Sequence, residues 1–83
     1  MEDFDQELDA RGLDCPLPIL RTKKALSAMQ PGQVLHVIAT DPGSAKDFPA
    51  FSRMTGHALI RAWEEGAEFH FLLEKRRDVP PQG

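Results

Sequence analysis

Two prolines, Pro16 and Pro18, constrain the fold of this chain more than any other feature of its sequence. Proline is tolerated in a helix only in the first turn, and it pushes the residue before it out of the helical region. Both prolines precede apolar residues at helical spacing, so the sequence predicts a helix that begins at Leu17 or Pro18. The segment QPG at residues 30–32 should end this helix, because its proline cannot continue a helix and its glycine allows a turn.

Strand-like segments alternate with helical ones along the rest of the chain. Short runs that are apolar, β-branched or alternating are typical of strands. Four strands are predicted on this basis, at residues 6–12, 34–40, 57–63 and 67–75. A second helix is expected to end at Gly56, with Pro49 in its first turn, because a proline inside a helix costs about 3 kcal/mol. Asp41, or Ser44 together with Asp47, is expected to cap this helix.

The element order β-α-β-α-β-β predicts an α+β fold. We expect a two-layer α/β sandwich, in which two helices cover one face of a four-stranded mixed sheet. The predicted core residues are Leu8, Ile19, Leu26, Met29, Val37, Phe51, Ile60, Phe69 and Phe71. In the last strand, Phe69, Phe71 and Leu73 alternate with mostly polar residues, so the sheet face away from the helices is expected to be wet.

The length and charge of the chain limit its class. Its 83 residues allow one small domain, at residues 6–76, between a flexible N-terminus at 1–5 and a disordered tail at 77–83. The net charge of −3 argues against nucleic-acid binding, since nucleic-acid-binding domains are usually basic. No apolar run approaches the ~20 residues that span a membrane, and the acidic start is not a secretory signal. We therefore expect a cytoplasmic protein that does not enter membranes.

Cys15 is the only cysteine of the chain. A single thiol excludes an internal disulfide, a dithiol redox cycle and a multi-cysteine zinc site. No pair among His36, His57 and His70 has metal-ligand spacing, so no metal is expected. The partial positive charge at the start of the first helix favours the thiolate, which makes Cys15 a candidate nucleophile more reactive than a free thiol, although the adjacent Asp14 opposes this. The alternative is an inert buried cysteine.

The second strand-to-helix turn is expected to lie beside Cys15. If the first two strands are parallel, as a β-α-β unit requires, both turns lie at the same end of the sheet. Asp41, Ser44 and Lys46 would then be neighbours of the thiol. The plainer interpretations are a helix cap for Asp41 and a solvated surface charge for Lys46. Leu17 and Leu20 are expected beside the thiol, either as a docking contact or as singly exposed leucines.

The segment LDARGLDCPLPIL, at residues 8–20, resembles the Cys-Pro-x-Pro motif of the TusA/SirA/YedF-like sulfur carriers. The segments MQPG, VLHVIATDPGSAKDFPAF and GHAL resemble further blocks of that family in the same order. The resemblance implies the same fold, and it implies that Cys15 carries sulfane sulfur as a covalent persulfide without any other cofactor. It also implies two transient partners for a monomeric carrier: a cysteine desulfurase that loads Cys15 and a downstream acceptor protein.

The resemblance implies roles for individual residues as well. Pro16 and Pro18 would frame Cys15, while Asp41 and Lys46 would contact partners. The predicted framing and partner-binding residues are Gly12, Pro16, Leu17, Pro18, Leu20, Asp41 and Lys46. The pathways of this family are tRNA thiolation, molybdoenzyme maturation and sulfur oxidation.

A non-catalytic RNA-binding or regulatory module is the alternative function. The same layered fold resembles the C-terminal domain of a bacterial translation initiation factor. The acidic balance of the chain and its lack of a stacking aromatic platform argue against RNA.

Overall fold

Two helices and four strands make up the part of the chain described by the computed structural model, residues 4–77. They are β1 (Gln6–Ala10), α1 (Leu17–Ser27), β2 (Val34–Ala39), α2 (Ser44–Thr55), β3 (Ala58–Glu65) and β4 (Glu68–Glu74). The strand order is β1-β2-β4-β3, with β1 parallel to β2 and the other neighbouring pairs antiparallel. The predicted α+β sandwich with a mixed sheet is therefore confirmed.

Helix α1 begins where its prolines predict. Pro16 is the residue before the helix, and Pro18 lies in the first turn. The helix ends at Ser27, earlier than predicted, because the N–H groups of Ala28 and Met29 bond to carbonyls three residues back, as in a 3₁₀ turn. The chain therefore leaves the helix before it reaches the QPG segment.

Helix α2 differs from the prediction at its start. It begins at Ser44, so Pro49 lies inside the helix and its predicted place in the first turn is wrong. Gly43 is the N-cap residue and no side chain caps the helix, so the cap predicted from Asp41 does not form, nor does the one from Ser44. Gly56 ends the helix as predicted, in the left-handed conformation with φ +86° that glycine adopts without strain.

The core lies between the helices and the sheet. Of the predicted core residues, those buried are Leu26, Met29, Val37, Phe51 and Phe71. Those partly buried against them are Leu8, Ile19 and Phe69. Ile60 is 51% exposed and its prediction is wrong, because β3 has a bulge between Leu59 and Arg61 that leaves Ile60 without a partner in the ladder.

Phe48 occupies the centre of this core, although the sequence patterns do not single it out. Its side chain is fully buried, and its ring stacks on Phe71 with the centroids 4.2 Å apart. Phe48 directly precedes Pro49, which lies inside the helix at an energetic cost. Burial of the Phe48 ring holds this part of α2 against the sheet and offsets that cost.

The sheet face away from the helices is covered by aromatic rings instead of being wet. His36 on β2 and His70 on β4 are both buried, and Trp63 on β3 stacks on each of them. Leu72 lies on the same face and is buried too. The prediction of a wet face is therefore wrong for β4, since rings from neighbouring strands exclude water from it.

The two buried histidines form one hydrogen-bonded row across this face. Nε2 of His36 lies 2.9 Å from Nδ1 of His70. The outer nitrogens bond to carboxylates, His36 Nδ1 to Glu7 at 2.9 Å and His70 Nε2 to Glu68 at 3.1 Å. The row links β1, β2 and β4 through side chains alone.

Residues at both ends of the predicted domain contact the sheet. The Asp5 N–H donates to the Val34 carbonyl, and the Asp5 carboxylate accepts from the Val34 N–H, both at 2.8 Å. Arg77, assigned to the tail by its sequence, pairs with Glu74 at 2.9 Å. Phe4 also belongs to the predicted flexible terminus, and its ring lies against that of His36 with the centroids 5.1 Å apart. Residues 1–3 and 78–83 lie outside the described residues.

Candidate functional site

Cys15 lies in the turn between β1 and α1, and its predicted exposure is confirmed. Gly12 adopts φ +82°, and its N–H donates to Thr40 Oγ1 at 2.9 Å, which joins the ends of β1 and β2. The Leu17 N–H donates to the Asp14 carbonyl at 2.8 Å and closes the turn that holds Cys15. The thiol is thus presented by a turn fixed at both ends.

The start of α1 offers the sulfur few N–H donors. Pro16 and Pro18 have no N–H, and that of Leu17 is used by the Asp14 carbonyl. The expected stabilisation of a thiolate depends on free N–H groups at the helix end. The prolines that position Cys15 therefore also remove much of that stabilisation.

Asp47, in the first turn of α2, is the group that contacts the thiol. The Cys15 thiol donates to Asp47 Oδ2, with sulfur and oxygen 3.4 Å apart. This hydrogen bond raises the pKa of the Cys15 thiol, and desolvation and the negative charges of Asp47 and Asp41 raise it further. The pKa of the thiol is therefore raised, whereas the helix start was expected to stabilise the thiolate. The opposing carboxylates are Asp47, in the first turn of α2, and Asp41, in the turn before that helix, rather than Asp14.

We expect Asp47→Asn to speed the alkylation of Cys15 at neutral pH. The substitution removes the negative charge that disfavours the thiolate, so the thiol pKa falls and the thiolate fraction at a fixed pH rises. The measurement is the rate of iodoacetamide alkylation against pH, whose midpoint should move to lower pH. Asp14→Asn is the matched control, and an equal shift in both variants would contradict the role of the Asp47 contact.

An apolar groove of about 440 Å³ runs between α1 and α2, with Cys15 in its wall. Its apolar walls comprise Pro16, Ile19, Leu20, Ala50, Phe51 and Met54. Leu20 is 53% exposed and Met54 is 85% exposed, so the rim presents apolar surface to solvent beside the sulfur. Exposed apolar surface gathered around a groove is typical of a protein-docking site.

Only some of the predicted site residues meet in this groove. Pro16 and Leu20 line it with Cys15. Those outside its lining are Gly12, Leu17, Pro18, Asp41 and Lys46. The negative charge of Asp41 still raises the pKa of the thiol. Lys46 is exposed on α2 and does not line the groove.

One face of α2 supplies the residues of the site that the sequence interpretation missed. Asp47, Ala50, Phe51 and Met54 all line the groove. Their spacing of three and four residues marks one face of a helix. The spacing is visible in the sequence, but the position of Asp47 near the start of the helix favours a capping role and hides its place in the groove.

A family model for sulfurtransferase TusA matches residues 6–75. The chain belongs to the TusA family. The sulfur carrier protein TusA of Allochromatium vinosum is 69% identical over 75 residues, which cover 90% of this chain and 99% of that relative. The chain is thus similar to a TusA-family sulfur carrier over nearly its whole length, and the resemblance inferred from the Cys-Pro-x-Pro segment is confirmed.

The TusA-family fold is also found among solved structures. The crystal structure of a SirA-like protein from Desulfitobacterium hafniense superposes with a TM-score of 0.75, at 22% identity, over 87% of this chain and 99% of that one. At this identity the likeness concerns the fold alone. Neither helix in the described range, residues 4–77, is long and apolar enough to cross a membrane.

Proposed function

We propose that the protein carries one sulfane sulfur as a persulfide on Cys15, receives it from a cysteine desulfurase and passes it to a cysteine of an acceptor protein. The observation that carries this proposal is the position of Cys15. The only thiol of the chain is exposed in the wall of an apolar groove, where a partner can reach it. The membership in a family of sulfur carriers supports the same function.

Loading proceeds by exchange between two sulfur-bearing cysteines. The Cys15 thiolate attacks the outer sulfur of the donor's persulfide, a new S–S bond forms on Cys15, and the donor's S–S bond breaks. The electron pair of the broken bond leaves with the donor's thiolate, so the donor is reduced and Cys15 is oxidised. Unloading repeats the exchange, with the acceptor's thiolate as the nucleophile.

Two properties of Cys15 suit a carrier: it is the only cysteine of the chain, and its pKa is raised. No second cysteine exists in the chain to attack the persulfide, so the loaded form cannot collapse into an internal disulfide. The raised pKa of Cys15 lowers the thiolate fraction of the unloaded carrier, and oxidation and alkylation act chiefly on thiolates. The empty carrier is therefore protected while it waits for a donor.

The partners we propose are proteins that bind the carrier only transiently. A carrier that binds tightly cannot cycle, so we expect a monomer that forms micromolar complexes with interfaces at or below about 1,200 Å². The acceptor would belong to tRNA thiolation, molybdoenzyme maturation or sulfur oxidation, in the cytoplasm.

The test of this function is direct loading. The purified protein is incubated with a cysteine desulfurase and cysteine, and its intact mass should rise by one sulfur atom, located on Cys15. Proteins trapped on Cys15 as mixed disulfides would then identify the acceptor. A mass that stays unchanged under conditions that load another carrier would refute the proposal.

We expect Leu20→Glu to slow sulfur transfer between proteins at least about tenfold in kcat/KM, since burial of a leucine at an interface contributes about 1.5–3 kcal/mol. Leu17→Glu is the matched control, because Leu17 is 42% exposed on the same helix but lies outside the groove. Alkylation of Cys15 by iodoacetamide should stay unchanged in both variants at a pH high enough to ionise the thiol fully, where a shift of its pKa has no effect on the rate. Equal transfer rates for Leu20→Glu and the wild type would place the docking surface elsewhere.

A further inference from the structure

A persulfide on Cys15 offers two sulfur atoms to an attacking thiolate. Attack on the outer sulfur moves that sulfur to the attacker and releases the Cys15 thiolate. Attack on the inner sulfur joins the attacker to Cys15 as a mixed disulfide and releases hydrosulfide, HS⁻, so the cargo is lost. Both displacements start from the protonated persulfide, Cys15–S–SH. The hydrogen stays on the transferred sulfur in outer attack and on the hydrosulfide in inner attack, so both balance in atoms and electrons and differ only in which sulfur is attacked.

Two carboxylates lie on the side of the inner sulfur that faces α2. Asp47 Oδ2 is 3.4 Å from Cys15 Sγ. The carboxylate of Asp41 lies near that of Asp47, because both flank Gly43. A Cβ built on Gly43 would lie 2.9 Å from Asp41 Oδ2 and 3.5 Å from Asp47 Oδ2. The inner sulfur therefore sits against one negative charge with a second close by.

The outer sulfur of the persulfide lies farther from these two carboxylates than the inner sulfur does. It lies one S–S bond, about 2.05 Å, beyond Sγ. In its ionised form the persulfide bears its charge on the outer sulfur, so the two carboxylates repel this atom and turn it toward solvent and the groove. Protonation there gives the form that reacts, with the outer sulfur already turned away from the carboxylates. Displacement at sulfur runs along the S–S axis, so a nucleophile aimed at the inner sulfur would have to arrive from the side that Asp47 occupies.

We propose that Asp47, with Asp41 beside it, is a specificity-determining residue that directs the acceptor's thiolate to the outer sulfur of the loaded carrier. This inference rests on the proposed function, because it concerns how the persulfide is unloaded. It gives the carboxylate contact a purpose beyond the resting thiol. In the inner route the incoming thiolate must come into contact with Asp47. In the outer route the thiolate released on Cys15 takes up a proton and returns to the thiol that donates to Asp47, so the charge opposes the inner route more strongly.

The experiment measures how the loaded protein partitions. Cys15 is loaded chemically with a small-molecule persulfide, excess reagent is removed, and 2-mercaptoethanol is added. Outer attack yields free Cys15 thiol and 2-mercaptoethanol persulfide, whereas inner attack yields a mixed disulfide on Cys15 and hydrosulfide. Intact mass and a sulfide assay give the ratio of the two routes. 2-Mercaptoethanol has no charge besides its thiolate and needs no docking surface.

We expect Asp47→Asn to raise the share of mixed disulfide about fivefold, the factor that one unit charge at contact distance gives in water. Asp41→Asn should raise it less, since Asp41 does not touch the sulfur, and it serves as the second variant if Asp47→Asn does not fold. Asp14→Asn, next to Cys15 in sequence, should leave the ratio unchanged. An unchanged ratio in both Asp47→Asn and Asp41→Asn, or an equal rise in Asp14→Asn, would overturn the inference.

The two proposals fail separately. Chemical loading bypasses the desulfurase, so an unchanged partition ratio would refute the role of Asp47 without affecting the carrier function. Failure of a desulfurase to load the wild-type protein would refute the carrier function, and it would leave the partition ratio as measured.

Discussion

Cys15→Ser is expected to take up no sulfur from a cysteine desulfurase and to transfer none to an acceptor, so activity falls to the level of the reaction without carrier. Serine has no sulfur on which a persulfide can form, and the chain has no second cysteine to replace it. The measurement is intact mass after loading, together with transfer of labelled sulfur. This is the largest effect expected of any single substitution at the site.

The loss should not come from unfolding. Cys15 is exposed and its side chain contacts only Asp47 by a hydrogen bond, so the free energy of unfolding should change by no more than about 0.5 kcal/mol. Urea unfolding of both proteins checks this. If Cys15→Ser retained full biological activity in cells, the sulfur chemistry would be dispensable and a non-catalytic RNA-binding or regulatory role would be favoured.

Phe48→Ala is expected to lower the free energy of unfolding by about 3–5 kcal/mol, the range for deletion of a buried aromatic ring. Phe48 is fully buried and stacked on Phe71, so its loss leaves a cavity between α2 and the sheet. The whole stability of a small domain is about 5–15 kcal/mol, and one this size is expected near the lower end. The variant should therefore be partly unfolded at physiological temperature.

The measurement is urea unfolding followed by circular dichroism. Met54→Ala is the matched control, because Met54 lies on the same helix and is 85% exposed, and its stability should stay within about 0.5 kcal/mol of the wild type. A loss below about 1 kcal/mol for Phe48→Ala would mean that the core collapses around the missing ring or that Phe48 is not central to it.

The order and type of the elements could be predicted because each depends on local rules. Pro16 and Pro18 fix the start of α1, and Gly56 ends α2. The parallel pairing of β1 and β2 follows from the helix between them, and it brings both strand-to-helix turns to one end of the sheet. The neighbourhood of Cys15 was predictable to that extent.

The contacts within that neighbourhood were not predictable, because they depend on how elements pack. The hydrogen bond between Cys15 and Asp47 depends on where α2 begins. A start at Ser44 places the Asp47 carboxylate on the side of the helix that faces the thiol. Ile60 leaves the core because one bulge changes the register of β3. A change of register cannot be predicted from the apolar pattern of one strand, because that pattern gives the spacing of residues and not their partners on the next strand.

The row Glu7–His36–His70–Glu68 also accounts for every polar atom of the two buried rings. Its three hydrogen bonds give each of the four ring nitrogens a partner: a glutamate at either end and the other histidine in the middle. The outer face of the sheet is therefore closed to water by aromatic rings without leaving a histidine nitrogen unpaired.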